Sequence, residues 1–278
     1  MLGKVLKYDL KAVGKYIFPI SLIALLTTAI GCGAIGYLAQ IDYNSDNVFT
    51  IVSTEMASMV VMASAFALAA FAICTLIVLV QRFYSSFFTD EGYLTFTLPV
   101  KRGTLLFSKV LTGIIYSIYS SIIEAGCIFA FISTSVIASS SVDELIFQIK
   151  CLFEDLLTEF GINVAVNLSA WIGDAFVMCI SSILLIYLSF TIGSVIASKH
   201  KVICSVGIYI AISTVQSIIM STLTFSAMAV SGSMYDSVAT SGWWLLITAL
   251  IGIGISIVLS VVYYILTYWL INKKLNLA

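Results

Sequence analysis

Six long stretches almost free of charge decide what this chain can fold into. Residues 16–41 and 56–81 each run for 26 residues without Asp, Glu, Lys or Arg, and 175–198, 202–235 and 237–272 run for 24, 34 and 36. A sixth stretch, 110–142, is interrupted by one acid, Glu124. A bilayer core of roughly 30 Å needs about 20 apolar residues in a helix, so each stretch holds at least one span. Lipid offers no partner to unpaired backbone groups, which leaves helices or closed barrels. The runs are continuous and lack the alternation and turns of barrel strands about ten residues long. The expected fold is therefore an all-α polytopic membrane protein with six transmembrane helices, near 17–39, 56–81, 104–135, 171–198, 202–229 and 243–271. Composition agrees. Of 278 residues 61% are hydrophobic and 10% charged, too few charges to clothe a soluble core of this size.

The basic residues set an expected orientation. Lys4, Lys7, Lys11, Lys15, Arg82, Lys101, Arg102, Lys109, Lys199, Lys201, Lys273 and Lys274 fall on one side of the spans, and Lys150 alone on the other. The positive-inside rule then puts both termini in the cytoplasm. The net charge of −1 names no partner, and no nucleic acid is expected. Pro19 is read in the first turn of span one and Pro99 in the loop before span three, so neither interrupts a helix. The first apolar stretch exceeds the 7–15 residues of a signal peptide and lacks a small-residue cleavage site, so it is read as an uncleaved span. Five of the six cysteines lie in apolar runs and only Cys151 sits among charges, which implies no disulfide framework.

Three segments between the spans carry information. Residues 1–16 form an amphipathic pattern: at 100° per residue the four lysines fall within about an 80° arc, opposite Leu2, Leu6, Leu10, Val13 and Ile17. Such a helix lies in the headgroup plane with its lysines toward anionic lipid. It either anchors the terminus or acts as an elbow that couples a cytoplasmic partner to span one. The outer segment 136–170 holds a short amphipathic helix, with Leu145, Ile149, Leu152, Leu156 and Phe160 at helical spacing; a packed lid accounts for it better than a ligand site. The inner segment 82–103 places Phe83, Tyr84, Phe87, Phe88 and Tyr93 in what reads as a loop. Aromatics there serve either a protein interface or anchorage in the headgroups.

The run Asp90-Glu-Gly-Tyr-Leu-Thr-Phe-Thr-Leu-Pro-Val100, followed by Ser108-Lys109, resembles membrane subunits of bacterial ABC transporters of the type-2 permease family. The resemblance covers nearly the whole chain in span number, elbow helix and loop position. It implies that the loop carries a coupling helix docking into a separate cytoplasmic ATPase, with Phe83, Tyr84, Phe87, Phe88, Asp90, Glu91 and Tyr93 on the docking surface. It further implies a second permease subunit, identical or related, and location in the bacterial cell membrane. ATP and Mg would reside on the ATPase, with no cofactor in this chain. One departure stands out: the family's short re-entrant helices before the last span have only 220–242 to supply them.

No catalytic or metal-binding constellation is visible. The single histidine, His200, stands in the turn Lys199-His-Lys201, and the chain has neither HExxH nor a phosphate loop, so an enzyme is not expected. Glu124 has fourteen uncharged residues before it and eighteen after. A carboxylate at that depth costs about 2.5–3.5 kcal/mol on insertion scales for a central Asp, so it should face protein or water. It is either a point on a translocation path or a hydrogen-bonded tie between helices. Asp174 is read as interfacial, at the outer start of span four. Gly31, Gly33 and Gly36, and Gly252, Ser256 and Ser260, read as helix-packing faces, and Met56, Met59 and Met62 as core. Ser182, Tyr187, Ser189 and Thr191 are mildly polar residues of a span that could line a pathway.

Two functions remain open. One is the permease of an exporter moving an amphipathic peptide or lipid-like compound outward, the resembled family being linked to export of, and self-protection against, antimicrobial peptides and bacteriocins. The other is a self-sufficient secondary or ion-coupled transporter using Glu124; against it, no internal repeat and only one deep charge are apparent.

Overall fold

The computed structural model describes residues 2–41, 48–89, 102–139, 146–147, 150–151, 154, 164–197, 200–234 and 241–273. Six long helices occur among them: α1 (Leu2–Leu38), α2 (Val48–Phe88), α3 (Arg102–Ser139), α4 (Val164–Ile196), α5 (Lys201–Met234) and α6 (Ser241–Lys273). All six are long and apolar enough to cross a membrane, as in a multi-pass membrane protein. Their extents differ from the expected spans. The 41 residues of α2 reach roughly 60 Å at 1.5 Å per residue, twice the bilayer core. Charge-free windows mark only what lipid would touch. Glu55 and Arg82 are ordinary helix formers, so the backbone ladder continues through them.

One expectation about α1 changes. Pro19 lies in the middle of the helix rather than in its first turn, because residues 2–16 run into the first span without a break. The proline leaves the Lys15 carbonyl without its helical donor, a defect tolerated in spans where neighbours compensate. The face pattern of the N-terminal segment does appear in its packing: Lys4, Lys7, Lys11 and Lys15 are exposed while Val13 and Ile17 are buried.

The chain divides into two compact units. The first draws on Met1–Leu6, Val80–Ile114 and Phe153–Ala278. Here α4 packs against both α6 and α5. Its second half is buried nearly all round, from Ser181 through Ile183, Leu184, Leu185, Tyr187 and Leu188 to Thr191 and Gly193. Helix α5 approaches closely at Gly193, where any Cβ would collide with the side chain and backbone of Ser205. Such close approach is how helices gain attraction in lipid, where apolar burial alone drives little.

The aromatic end of α2 completes this core, and it corrects the loop reading. Phe83 and Phe87 are 1% and 0% exposed, in the last turns of a helix rather than in a loop. The Phe83 ring stacks on Tyr187 with centroids 4.0 Å apart and an interplanar angle of 7°. The Tyr187 hydroxyl donates to the Lys109 carbonyl at 3.3 Å. Phe83 and Phe87 thus hold α2 to α4, and neither ring is available to dock a partner. Tyr84 and Phe88 are half-buried beside them. The connection after α2 is shorter than 82–103, since the helix ends at Phe88 and α3 begins at Arg102.

The second unit comprises Lys7–Leu79 and Ile115–Leu152. Gly14 makes its central contact possible: lacking a Cβ, it opens a groove in α1 through which the Tyr116 hydroxyl reaches the Leu10 carbonyl at 2.7 Å. Ser21 and Tyr119 share a hydrogen bond of 3.1 Å, with the edge of Phe18 set against both tyrosines. Gly31 meets Ser64 and Phe131 where a Cβ would clash, whereas Gly33 and Gly36 face open space. The packing face of α1 therefore includes Gly31 alone of the three. Met56, Met59 and Met62 are 64%, 66% and 61% exposed, so they are not core. Spacing of three marks a shared helix face, but in a span the outward face is as apolar as the inward one.

Candidate functional site

Helices α4, α5 and α6 of the first unit line a broadly open groove of about 500 Å³, with Trp171, Ser221, Thr224 and Phe225 exposed along it. That volume lies within the range of about 300–1,000 Å³ usual for small-molecule sites. Its walls are apolar: Trp171 and Met178 from α4, Met220 and Phe225 from α5, Ala249 from α6. Its polar groups are few. Ser221 and Thr224 contribute hydroxyls from α5, Thr248 from α6, and Asp174 the one carboxylate.

Asp174 owes its position to a glycine. Gly252 is buried on α6, and a Cβ there would stand 2.7 Å from Asp174 Oδ1 and 3.0 Å from Oδ2. The carboxylate fills the notch that Gly252 leaves. Oδ1 is buried with no hydrogen-bond partner among the described residues. The hydroxyls of Ser181 on α4 and Ser256 on α6 are in the same state. An unsatisfied buried polar atom is costly, so a carboxylate in this condition implies something that compensates it.

Helix α4 begins before the expected span, so Asp174 lies within the helix rather than at its first turn. Helix α4 begins at Val164, and ten residues at 1.5 Å put Asp174 roughly 15 Å along it. The sequence does hold a usable signal: fourteen uncharged residues precede Asp174 and 24 follow, as with Glu124. With 136–170 read as the outer segment and span four beginning at 171, Asp174 is expected at the start of a helix rather than ten residues along it.

The other expected site residues are dispersed. Glu124 belongs to the second unit, near the middle of α3 and half-buried, and no hydrogen bond or ion pair reaches it among the described residues. Asp90, Glu91 and Tyr93 lie outside the described residues. So does most of the expected outer helix, of which Ile146, Phe147, Lys150, Cys151 and Glu154 are helical. Tyr187, Ser189 and Thr191 are buried; Ser189 and Thr191 donate to carbonyls of their own helix, at Leu185 and Tyr187, and none of the three lines the groove. Ser182 is exposed and also lies away from it. The re-entrant helices expected within 220–242 do not appear among the described residues: α5 continues to Met234 and α6 starts at Ser241. His200 is exposed just before α5, its carbonyl accepting from the Cys204 amide at 3.1 Å. Among the described residues no three His, Cys, Asp or Glu gather as a metal site would require.

Comparison with protein-family models, curated proteins and solved structures returns no match.

Proposed function

We propose that this chain is the membrane-spanning subunit of an ATP-driven exporter that moves amphipathic compounds outward from the cytoplasm or inner leaflet. The observation that carries the reading is the 90–100 run, similar to that of type-2 ABC permeases, placed between the second and third of six membrane-length helices. In this reading both termini are cytoplasmic, as twelve of thirteen basic residues require. The exposed lysines of α1 face anionic headgroups, and the protein resides in a bacterial cell membrane. Two copies, or this chain and a related one, form the pathway, and a phosphate-loop ATPase binds ATP and Mg below them. With Phe83 and Phe87 committed to the core, docking falls to Asp90, Glu91 and Tyr93, flanked by Tyr84 and Phe88. Replacing Asp90, Glu91 and Tyr93 together by Ala should remove the phosphate-loop ATPase that mass spectrometry finds co-eluting with the tagged chain, with membrane insertion intact. Full retention of that ATPase would remove the basis for a coupling segment.

A second reading, a self-sufficient ion-coupled carrier, gains from Asp174, which joins Glu124 as a second carboxylate within a helix long and apolar enough to cross a membrane. Proteoliposomes containing this chain alone decide between them: uptake driven by an ion gradient without ATPase would favour the carrier.

A further inference from the structure

We infer that the α4–α5–α6 groove is a binding site for amphipathic organic cations, with Asp174 as the counter-charge. The inference deepens the exporter reading, on which it rests for the use the site is put to. Three features of the groove converge on a cation with an apolar body. Asp174 lines a largely apolar groove, its carboxylate seated beside Gly252 with Oδ1 buried and unpartnered among the described residues. A cationic group brought to it would gain in a medium where charge attraction is poorly screened, whereas an anion would be repelled. Around it stand the rings of Trp171 and Phe225, surfaces on which an organic cation is attracted as well as desolvated. Met178 and Met220 add thioethers that repack around varied shapes, so recognition would be of charge and bulk rather than of one outline.

The approach to the groove has the same character. Thr214, Ser217, Ser221 and Thr224 fall within about an 80° arc of α5 at 100° per residue, on a face with little protein cover. Each hydroxyl donates to its own helix: Thr214 to the Ile210 carbonyl at 2.8 Å, Ser217 to Thr214 at 2.9 Å, Ser221 to Ile218 at 3.0 Å and Thr224 to Met220 at 3.0 Å. Their donors are thereby used while oxygen lone pairs remain free to accept. An array of acceptors suits a passing ammonium or aromatic amine and offers little to an anion. Ser221 and Thr224 belong to both this stripe and the groove wall, so it leads to Asp174.

The test uses the full chain in nanodiscs of zwitterionic lipid without any ATPase, with two fluorescent probes: ethidium, a cation with aromatic bulk, and Nile red, a neutral dye. Ethidium should bind saturably, and Asp174→Asn should weaken it about tenfold or more, as removal of one partner of a desolvated charge pair does, leaving Nile red unchanged. Ser221→Trp, at an exposed position on the groove wall, should weaken both probes by filling the space, and it serves should Asp174→Asn fail to fold. Glu124→Gln should leave both unaltered. Unchanged ethidium affinity in Asp174→Asn, or in Ser221→Trp, would overturn the assignment, as would equal loss of both dyes in Asp174→Asn. Because no ATPase is present, failure here is separate from failure of the exporter reading, which the co-purification experiment decides.

Discussion

Helices α4 and α5 are neighbours in sequence and close in length and in the hydropathy of their most apolar stretch, yet they occupy opposite environments within one unit. They have 33 and 34 residues, and their most apolar windows have mean hydropathies of 2.3 and 2.0. Half of that window is buried in α4 and 6% in α5. Hydropathy therefore selects both for the membrane and says nothing of which becomes the core. What separates them is the distribution of small and hydroxyl side chains. In α4, Ser181, Ser189, Thr191 and Gly193 are interleaved with Leu and Ile over one stretch, so neighbours approach on every side. In α5 the bulky residues Ile203, Ile210, Val215, Ile218 and Phe225 point outward, all more than 50% exposed. Its attachment is narrower: Ser205 against Gly193, and the Tyr263 hydroxyl of α6 donating to Gln216 Oε1 at 3.1 Å.

The largest expected effect lies at the α4 core. Tyr187→Ala removes the stack on Phe83, the bond to the Lys109 carbonyl and the contact with Gly113, and leaves a cavity no neighbour can close. Reversible unfolding in mixed micelles should show a loss of about 3–4 kcal/mol. Tyr187→Phe keeps the stack and should lose less than about 1 kcal/mol, since a 3.3 Å bond is at the weak end. Equal losses in the two variants would mean that the hydroxyl, rather than the ring, makes α4 the centre.

A smaller effect is expected where the two helices touch. Gly193→Val places branched carbons against the backbone of Ser205, which cannot move aside as a flexible side chain would. The same assay should show about 2 kcal/mol, the usual scale for overpacking. Gly254, with nothing near its Cβ direction, is the control: Gly254→Val should cost under about 1 kcal/mol. A tolerant Gly193 would show that its close approach to Ser205 is not what fixes α5 against α4.

The same contrast between averages and local chemistry governs how much of the molecule is legible in its sequence. The six helices are plain because five stretches of more than 20 residues lack any charge and a sixth holds only Glu124, a pattern that suits a bilayer and little else in a folded chain. Their ends are not, because helices continue past lipid and carry Glu55 and Arg82 within them. Side-chain environment is legible only where chemistry is asymmetric. The lysines of α1 face out as their charge demands, but Met56, Met59 and Met62 give no inward or outward signal. Phe83 and Phe87 mislead for a related reason: nearby charges make a helix end look like a loop. Asp174 is visible as an acid between apolar runs. Its notch is not, because Gly252 lies 78 positions away and spacing cannot reveal which helices meet.

The smallest expected effect sharpens the comparison most. Ile218 lies on the outward face of α5 at 64% exposure. If bilayer lipid covers that face, Ile218→Ala exchanges one lipid contact for another in both folded and unfolded states, and stability should shift by no more than about 0.5 kcal/mol. If a second copy of the chain covers it, the substitution opens a gap at a protein contact, and the cost should rise toward the roughly 2 kcal/mol at the lower end for buried Ile to Ala. Measuring the variant at several protein-to-lipid ratios separates the two, because only a contact between copies makes the cost grow with protein concentration. A flat, near-zero response would leave the poor burial of α5 as a property of the protein in its membrane. A concentration-dependent loss would show that α5 is buried after all, by another copy of the chain.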